Sequence, residues 1–207
     1  MNDLNRKNHW ENIYQTKALN EVSWYQETPE TSLYFFKKFN VPKEAKIIDI
    51  GGGDSFLVDH LLKLGYNNLT VLDISEASLE RAKKRLGEDA VKVKWIVSDV
   101  VEFNPKEAYD VWHDRAAFHF LNTNAEVKAY VELVKKKVSG HGLLIVGTFS
   151  ENGPLKCSGI EIKQYSQTQL SSAFEAQFKK LECFNVDHST PFNTTQNFTF
   201  CSFRHAV

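Results

Sequence analysis

The chain is short of cysteine, methionine and proline, and long apolar runs are missing altogether. Three cysteines, Cys157, Cys183 and Cys201, stand in 207 residues. Their odd number and wide spacing fit neither a disulfide framework nor a zinc spacing, so they read as reduced thiols and suggest a cytoplasmic setting. No apolar stretch of about 18 residues occurs, so no membrane span and no membrane partner are expected. Residues 1–9 are polar and mixed in charge, without the apolar centre of a secretory signal. Neither sign of charge dominates, with 25 Lys+Arg against 26 Asp+Glu and a formal net charge of -1. That balance argues against nucleic acid as a partner, a local basic patch apart. Internal repeats and low-complexity linkers are absent too.

What is present is an alternation of short apolar runs with helical patterns, which points to α/β architecture and a parallel sheet. Strands are expected over residues 46–50, 69–72, 91–97, 109–113 and 143–149. Helices are expected over 56–64, from an N-cap at Ser75 to Leu86, and over 124–138, where Ser139-Gly140 should close the last. After Phe149 the alternation changes. Residues 151–159 read as a loop, 166–178 as a helix, and 180–187 with 197–204 as an antiparallel hairpin. The expectation is one doubly wound domain over 1–207: N-terminal helices to residue 45, a core over 46–149, and a tail over 150–207.

The first strand ends in Asp49-Ile50-Gly51-Gly52-Gly53-Asp54-Ser55. Glycines there allow positive φ and close approach of a ligand to the backbone, although an ordinary turn would look the same. Asp73 ends the second strand, where a carboxylate can accept from a ribose 2′-OH; a helix-capping role is the alternative. Asp99 follows the third strand. It can accept from an adenine amine while the Val100 amide donates to a ring nitrogen, or it is a plain turn residue. Three acidic strand ends in series are hard to explain as turns alone.

Asp49-x-Gly51-x-Gly53, Leu72-Asp73-Ile74-Ser75, Ser98-Asp99 and Tyr109-Asp110-Val111 resemble the successive motifs of class I S-adenosylmethionine (SAM)-dependent methyltransferases. The resemblance covers about residues 46–149. It implies a Rossmann-like seven-stranded sheet with an antiparallel last strand, and SAM as cofactor. By that likeness Asp49, Gly51, Gly53, Asp73, Ile74, Ser75, Asp99 and Val100 hold the cofactor, and no metal is required. Ser55 stands where many members carry a third glycine. A nicotinamide dinucleotide fits less well, because its G-x-G-x-x-G pattern needs glycine at position 56, and Phe56 is there.

Two further stretches bear on the acceptor. Trp10, Tyr14 and Trp24 either pin N-terminal helices to the core or form a lid whose aromatic faces attract the sulfonium. The lid arrangement is similar to the thiopurine methyltransferase branch. Asp114-Arg115, running off the fourth strand, resembles an Asp-Arg pair of the same branch. That likeness implies Arg115 at cofactor or substrate, and Asp114 at the SAM amino group or the acceptor. His113 and His119 could each take a proton, but packing roles suit them better. Of the two, His113 joins Asp114 as a catalytic candidate. The Asn/Asp-Pro-Pro-Tyr motif of nucleic-acid amino methylation is not found after strand four. The resulting expectation is methyl transfer to O, N or S of a small molecule. The alternatives are a protein lysine acceptor or a non-catalytic SAM-binding protein.

Overall fold

The computed structural model describes residues 3–206, with side chains from Arg6 onward. Seven strands form one sheet in the order β3-β2-β1-β4-β5-β9-β8. The chain divides into two compact units, one reaching to Phe103 with Thr190–Phe192 added, the other Asn104–Ser189 with the chain from Asn193.

In the first unit, α1 (Asp3–Thr16) and α2 (Glu30–Lys38) precede β1 (Ile47–Ile50), α3 (Leu57–Lys63), β2 (Leu69–Asp73), α4 (Glu76–Leu86) and β3 (Val93–Val97). β1 and β2 are buried at every position, as strands covered on both faces must be. That is why they read as unbroken apolar runs. β1 pairs with β2, and β2 with β3, all parallel. Ser75 caps α4 by accepting from the Ser78 amide at 3.2 Å, and Gly87, at φ 58°, ends it. β3 begins at Val93, two residues later than expected, because Gly87–Lys92 winds into a 3-10 turn.

The second unit holds β4 (Tyr109–Arg115), α5 (Asn124–Lys137), β5 (Val138–Phe149), β6 (Lys156–Cys157), β7 (Ile160–Glu161), α6 (Gln167–Phe174), β8 (Phe178–Ser189) and β9 (Thr195–His205). β5 runs parallel to β4 and antiparallel to β9, which pairs antiparallel with β8. The expected C-terminal hairpin and antiparallel last strand are therefore present. Thr123 and Glu126 cap α5 reciprocally, the Glu126 amide donating to Thr123 Oγ1 at 3.2 Å and the Thr123 amide to Glu126 Oε2 at 3.0 Å.

Several boundaries differ from expectation. Ser139-Gly140 does not close α5 in a loop. The helix ends at Lys137 and β5 starts directly at Val138, which pairs with Tyr109 across a register shift. The loop over 151–159 carries half of a small hairpin, β6–β7. α6 stops at Phe174, so that Phe178 can open β8.

The cysteines require a larger correction. Cys183 and Cys201 are direct partners across β8 and β9, with Cα atoms 4.1 Å apart, and form a disulfide. Pairing register brings them together, which spacing along the chain does not reveal. Cys157 alone is a free, buried thiol. The thiol argument for a cytoplasmic setting therefore lapses. Among the described residues no helix is long and apolar enough to cross a membrane.

Candidate active site

The glycine loop lies at the carboxyl end of β1. Gly51 has φ 65°, a backbone shape that side chains other than glycine adopt at a cost. The Gly51 and Gly52 amides both donate to the Leu72 carbonyl, at 2.8 and 3.2 Å, which folds the loop back onto β2. A Cβ at Gly52 would lie 2.5 Å from Asp49 Oδ2, and one at Gly53 2.4 Å from Asp73 Oδ2. Glycine is thus required at 52 as well as at 51 and 53, and position 52 escaped the sequence reading. Asp54 is clamped by Arg85 Nη1 at 2.6 Å and by Arg81 Nη2 at 2.9 Å. Burial raises the Asp54 carboxyl above the usual range, and the two arginines pull against that. Arg85 also donates to the Ser55 carbonyl at 2.8 Å and pairs with Asp59. Two arginines of α4 therefore fix the bend in which Ser55 replaces a third glycine.

Asp49, Asp73 and Asp99 are all buried, at 5, 5 and 8% exposure. Asp73 Oδ1 accepts from the Ser75 amide at 2.9 Å. Burial pushes the Asp73 carboxyl up to about 7, against hydrogen bonds from Ser75, Ser78 and Gly53. Asp99 Oδ1 accepts from the Val101 amide at 3.1 Å, and Oδ2 from Arg6 at 3.2 Å. Ile74 is half-buried. Ser75 is fully buried, and its hydroxyl donates to Glu11 Oε2 at 2.7 Å. Val100 is buried in the turn after β3, its carbonyl accepting from the Phe103 amide at 3.3 Å.

Trp10, Tyr14 and Trp24 form a triangle, with ring centroids 5.7 to 6.2 Å apart. Polar contacts dock α1, the helix that carries Trp10 and Tyr14. Glu11 accepts from Ser75 and from the Ala77 amide at 3.1 Å, and so acts as a second cap on α4. Arg81 donates to the carbonyls of Tyr14 and Lys17 at 3.0 and 2.7 Å. None of Arg6, Glu11 or Arg81 was singled out from sequence. The contacts that they make to or from α1 and its end span 64 to 93 residues, and no local pattern marks such pairs.

In the second unit, β4 ends in His113-Asp114-Arg115. Asp114 is fully buried. Its Oδ1 accepts from the Ala117 and Phe118 amides at 3.0 and 3.1 Å, and its Oδ2 from the Tyr130 hydroxyl at 2.6 Å. Burial still pushes its carboxyl up to about 6. Oδ1 thus serves the turn that follows β4, and Oδ2 ties β4 to Tyr130 of α5. His113 is buried within β4. Arg115 is half-buried, its guanidinium carbon 5.1 Å from the centre of the Phe198 ring. His119 is fully buried and accepts the Phe149 amide at Nδ1, 3.2 Å away. Burial, and next the charge of Arg115, lower its pKa to about 3. Among the described residues no group of three or more His, Cys, Asp or Glu could hold a metal.

A methyltransferase-domain family profile matches residues 47–137, the segment that carries all of these strand ends from Asp49 to Arg115. That segment, a little under half of the chain, resembles a methyltransferase domain. The loop without room for a Cβ, beside three buried acids, fits SAM, the cofactor that the resemblance implies. The chain is 26% identical over 160 residues to EEF1A lysine methyltransferase 2 of Danio rerio, covering 69% of the chain and 68% of the relative. It is 35% identical over 81 residues to malonyl-[acyl-carrier protein] O-methyltransferase 1 of Ilyobacter polytropus, covering 39% of the chain and 30% of that relative. Among solved structures, the 1,6-didemethyltoxoflavin-N1-methyltransferase of Burkholderia thailandensis, with 1,6-didemethyltoxoflavin and S-adenosylhomocysteine (SAH) bound, superposes with a TM-score of 0.71 at 15% identity. That superposition covers 99% of this chain and 85% of the other.

Proposed function

We propose that this protein transfers the methyl group of SAM to an O, N or S atom of a small-molecule acceptor. The observation that carries the reading is the row of buried carboxylates, Asp49, Asp73 and Asp99, beside a loop with no space for side chains at 52 and 53. Asp73 would accept from the ribose hydroxyls and Asp99 from the adenine amine, with Val100 donating to the ring. Gly51 and Gly53 would let the methionine half approach the backbone, and the Ile74-Ser75 turn would hold Asp73 in place. Trp10, Tyr14 and Trp24 would cover the sulfonium, whose positive charge an aromatic face attracts. When bound, SAM supplies an activated methyl group. The protein's own task is then to align the acceptor and exclude water.

No general base is needed for a soft or neutral nucleophile, so neither His113 nor Asp114 has to take a proton. Asp114 acts instead as the post that holds the Arg115–His119 turn. Two measurements test the reading: calorimetry with SAH, and transfer of labelled methyl from SAM into pools of small molecules. Failure of the protein to bind SAM or SAH would overturn it.

A protein lysine acceptor is the second reading. It is favoured by the likeness to EEF1A lysine methyltransferase 2, which spans about two thirds of both chains. Label entering lysate proteins but no small molecule would decide for it.

A further inference from the structure

Helix α1 crosses the ends of two neighbouring strands. Arg6 Nη1 reaches Asp99 Oδ2 at 3.2 Å, just beyond β3. One and a half turns later, Glu11 accepts from the Ser75 hydroxyl and the Ala77 amide at 2.7 and 3.1 Å, just beyond β2. Five residues of helix rise about 7.5 Å, which spans the spacing of about 4.8 Å between paired strands. The helix therefore lies over the strand ends at which the proposed function places the adenosine half of SAM.

The contacts of α1 change along its length. Glu11 uses both carboxylate oxygens to hold the start of α4. Beyond it, Arg81 donates to the carbonyls of Tyr14 and Lys17 at 3.0 and 2.7 Å, and its Nη2 lies 2.9 Å from Asp54. From Glu11 onward the helix is thus fastened to α4 and, through Arg81, to the glycine loop. Its first turn is fastened to the end of β3 by the Arg6–Asp99 ion pair.

That pair stands where a ligand donor is needed. Asp99 Oδ1 accepts from the Val101 amide and Oδ2 from Arg6. The side chains of Arg6 and Asp99 are only 12 and 6% exposed, so little surface remains at which a second donor can approach the carboxylate. An arginine N–H and an adenine amine are donors of the same kind, and the charged one makes the stronger hydrogen bond.

We propose that Arg6 is a competitor carried by the chain itself: it occupies Asp99 in the cofactor-free protein, and SAM enters by displacing it. The first turn of α1 swings away, while Glu11 and Arg81 keep the rest of the helix in place. The inference rests on the methyltransferase reading, in which Asp99 receives the adenine amine. Its consequence is a cofactor affinity lowered by the fraction of molecules in which Arg6 still holds Asp99.

The test measures SAH binding to the full chain by calorimetry and stopped flow. Arg6→Gln should bind SAH about fivefold or more tightly than the parent, chiefly through faster association. Arg6→Lys keeps the charge without the planar fork and should fall between the two. In the parent, SAH should speed amide exchange at residues 7–9 of α1 and leave residues 12–16 unchanged. That last measurement decides the matter should Arg6→Gln fail to fold.

Weaker SAH binding by Arg6→Gln would make Arg6 a holder of the cofactor and overturn the proposal. Unchanged affinity would overturn it too, as would Arg6→Lys binding more tightly than Arg6→Gln, or exchange at residues 7–9 that SAH slows or leaves alone. In each of these cases the methyltransferase reading survives. No SAH binding by the parent or either variant would sink that reading, and the proposal with it.

Discussion

At Asp73, burial and ionisation pull in opposite directions. Its pKa of about 7 leaves a sizeable protonated fraction near neutral pH in the cofactor-free protein. Ribose hydroxyls donating to the carboxylate would favour the charged form, so SAH binding should release a proton. Affinity should therefore rise with pH up to about 7 and then level off. Calorimetry in buffers of differing ionisation enthalpy reads that proton directly, and Asp73→Asn should abolish it. Gly52 makes a steric demand of a similar kind. In Gly52→Ala the new Cβ meets the Asp49 carboxylate at 2.5 Å and Val71 at 3.0 Å. Overpacking of this sort costs about 1–3 kcal/mol. A lowered urea midpoint together with weakened SAH binding is expected, whereas an unchanged protein would show the loop to be looser than its contacts indicate.

At the scale of elements, α1 depends on polar contacts at both the β2 and β3 ends. Glu11 accepts from Ser75 and Ala77, and Arg6 pairs with Asp99. Hydrogen bonds to a charged group are worth about 1.5–3 kcal/mol. Glu11→Ala should accordingly raise amide exchange along α1 while β1 and β2 keep their protection. Equal loosening of the strands would mean that α1 is not a separate docking element. In the C-terminal hairpin, the Cys183–Cys201 bond closes a separation of 18 residues. For a loop of that size the chain-entropy estimate is roughly 3 kcal/mol. Reduction should lower the melting temperature, and Cys183→Ser/Cys201→Ser should melt identically with and without reductant.

For the whole molecule, four buried groups set how stability varies with pH. Asp73 and Asp114 have folded pKa values raised to about 7 and about 6. The folded state therefore holds protons that the unfolded state has lost, and stability falls as pH rises from about 4 to those values. Asp54 is shifted in the same direction. His119 works the other way. Its folded pKa of about 3 means that stability rises with pH from about 3 to about 6.5, its unfolded value. Two acids outweigh one histidine between about pH 4 and 6, so thermal stability should be greater near pH 4.5 than near pH 7.5. His119→Phe removes the opposing contribution. Relative to the parent, that variant should gain roughly 2 kcal/mol on going from pH 8 to pH 5. A parent whose stability climbs steadily from pH 4 to 7.5 would contradict the assignment of these buried acids.

The sequence alone determined the strand ends. Asp49, Asp73 and Asp99 each follow a short apolar run, and the glycines follow the first of them; signals confined to a few neighbouring residues survive in one dimension. The capped start of α4 and the C-terminal hairpin were legible for the same reason. Only the tertiary structure decided what the chemistry-bearing side chains face. Asp114 turned inward to Tyr130, sixteen residues on, and Arg6 reached Asp99 across 93 residues. Cys183 met Cys201 because β8 and β9 pair in that register. His119 acquired its fixed proton from an amide of β5. Such partners depend on how strands and helices assemble, and hydrophobic periodicity carries no record of which polar atoms then meet.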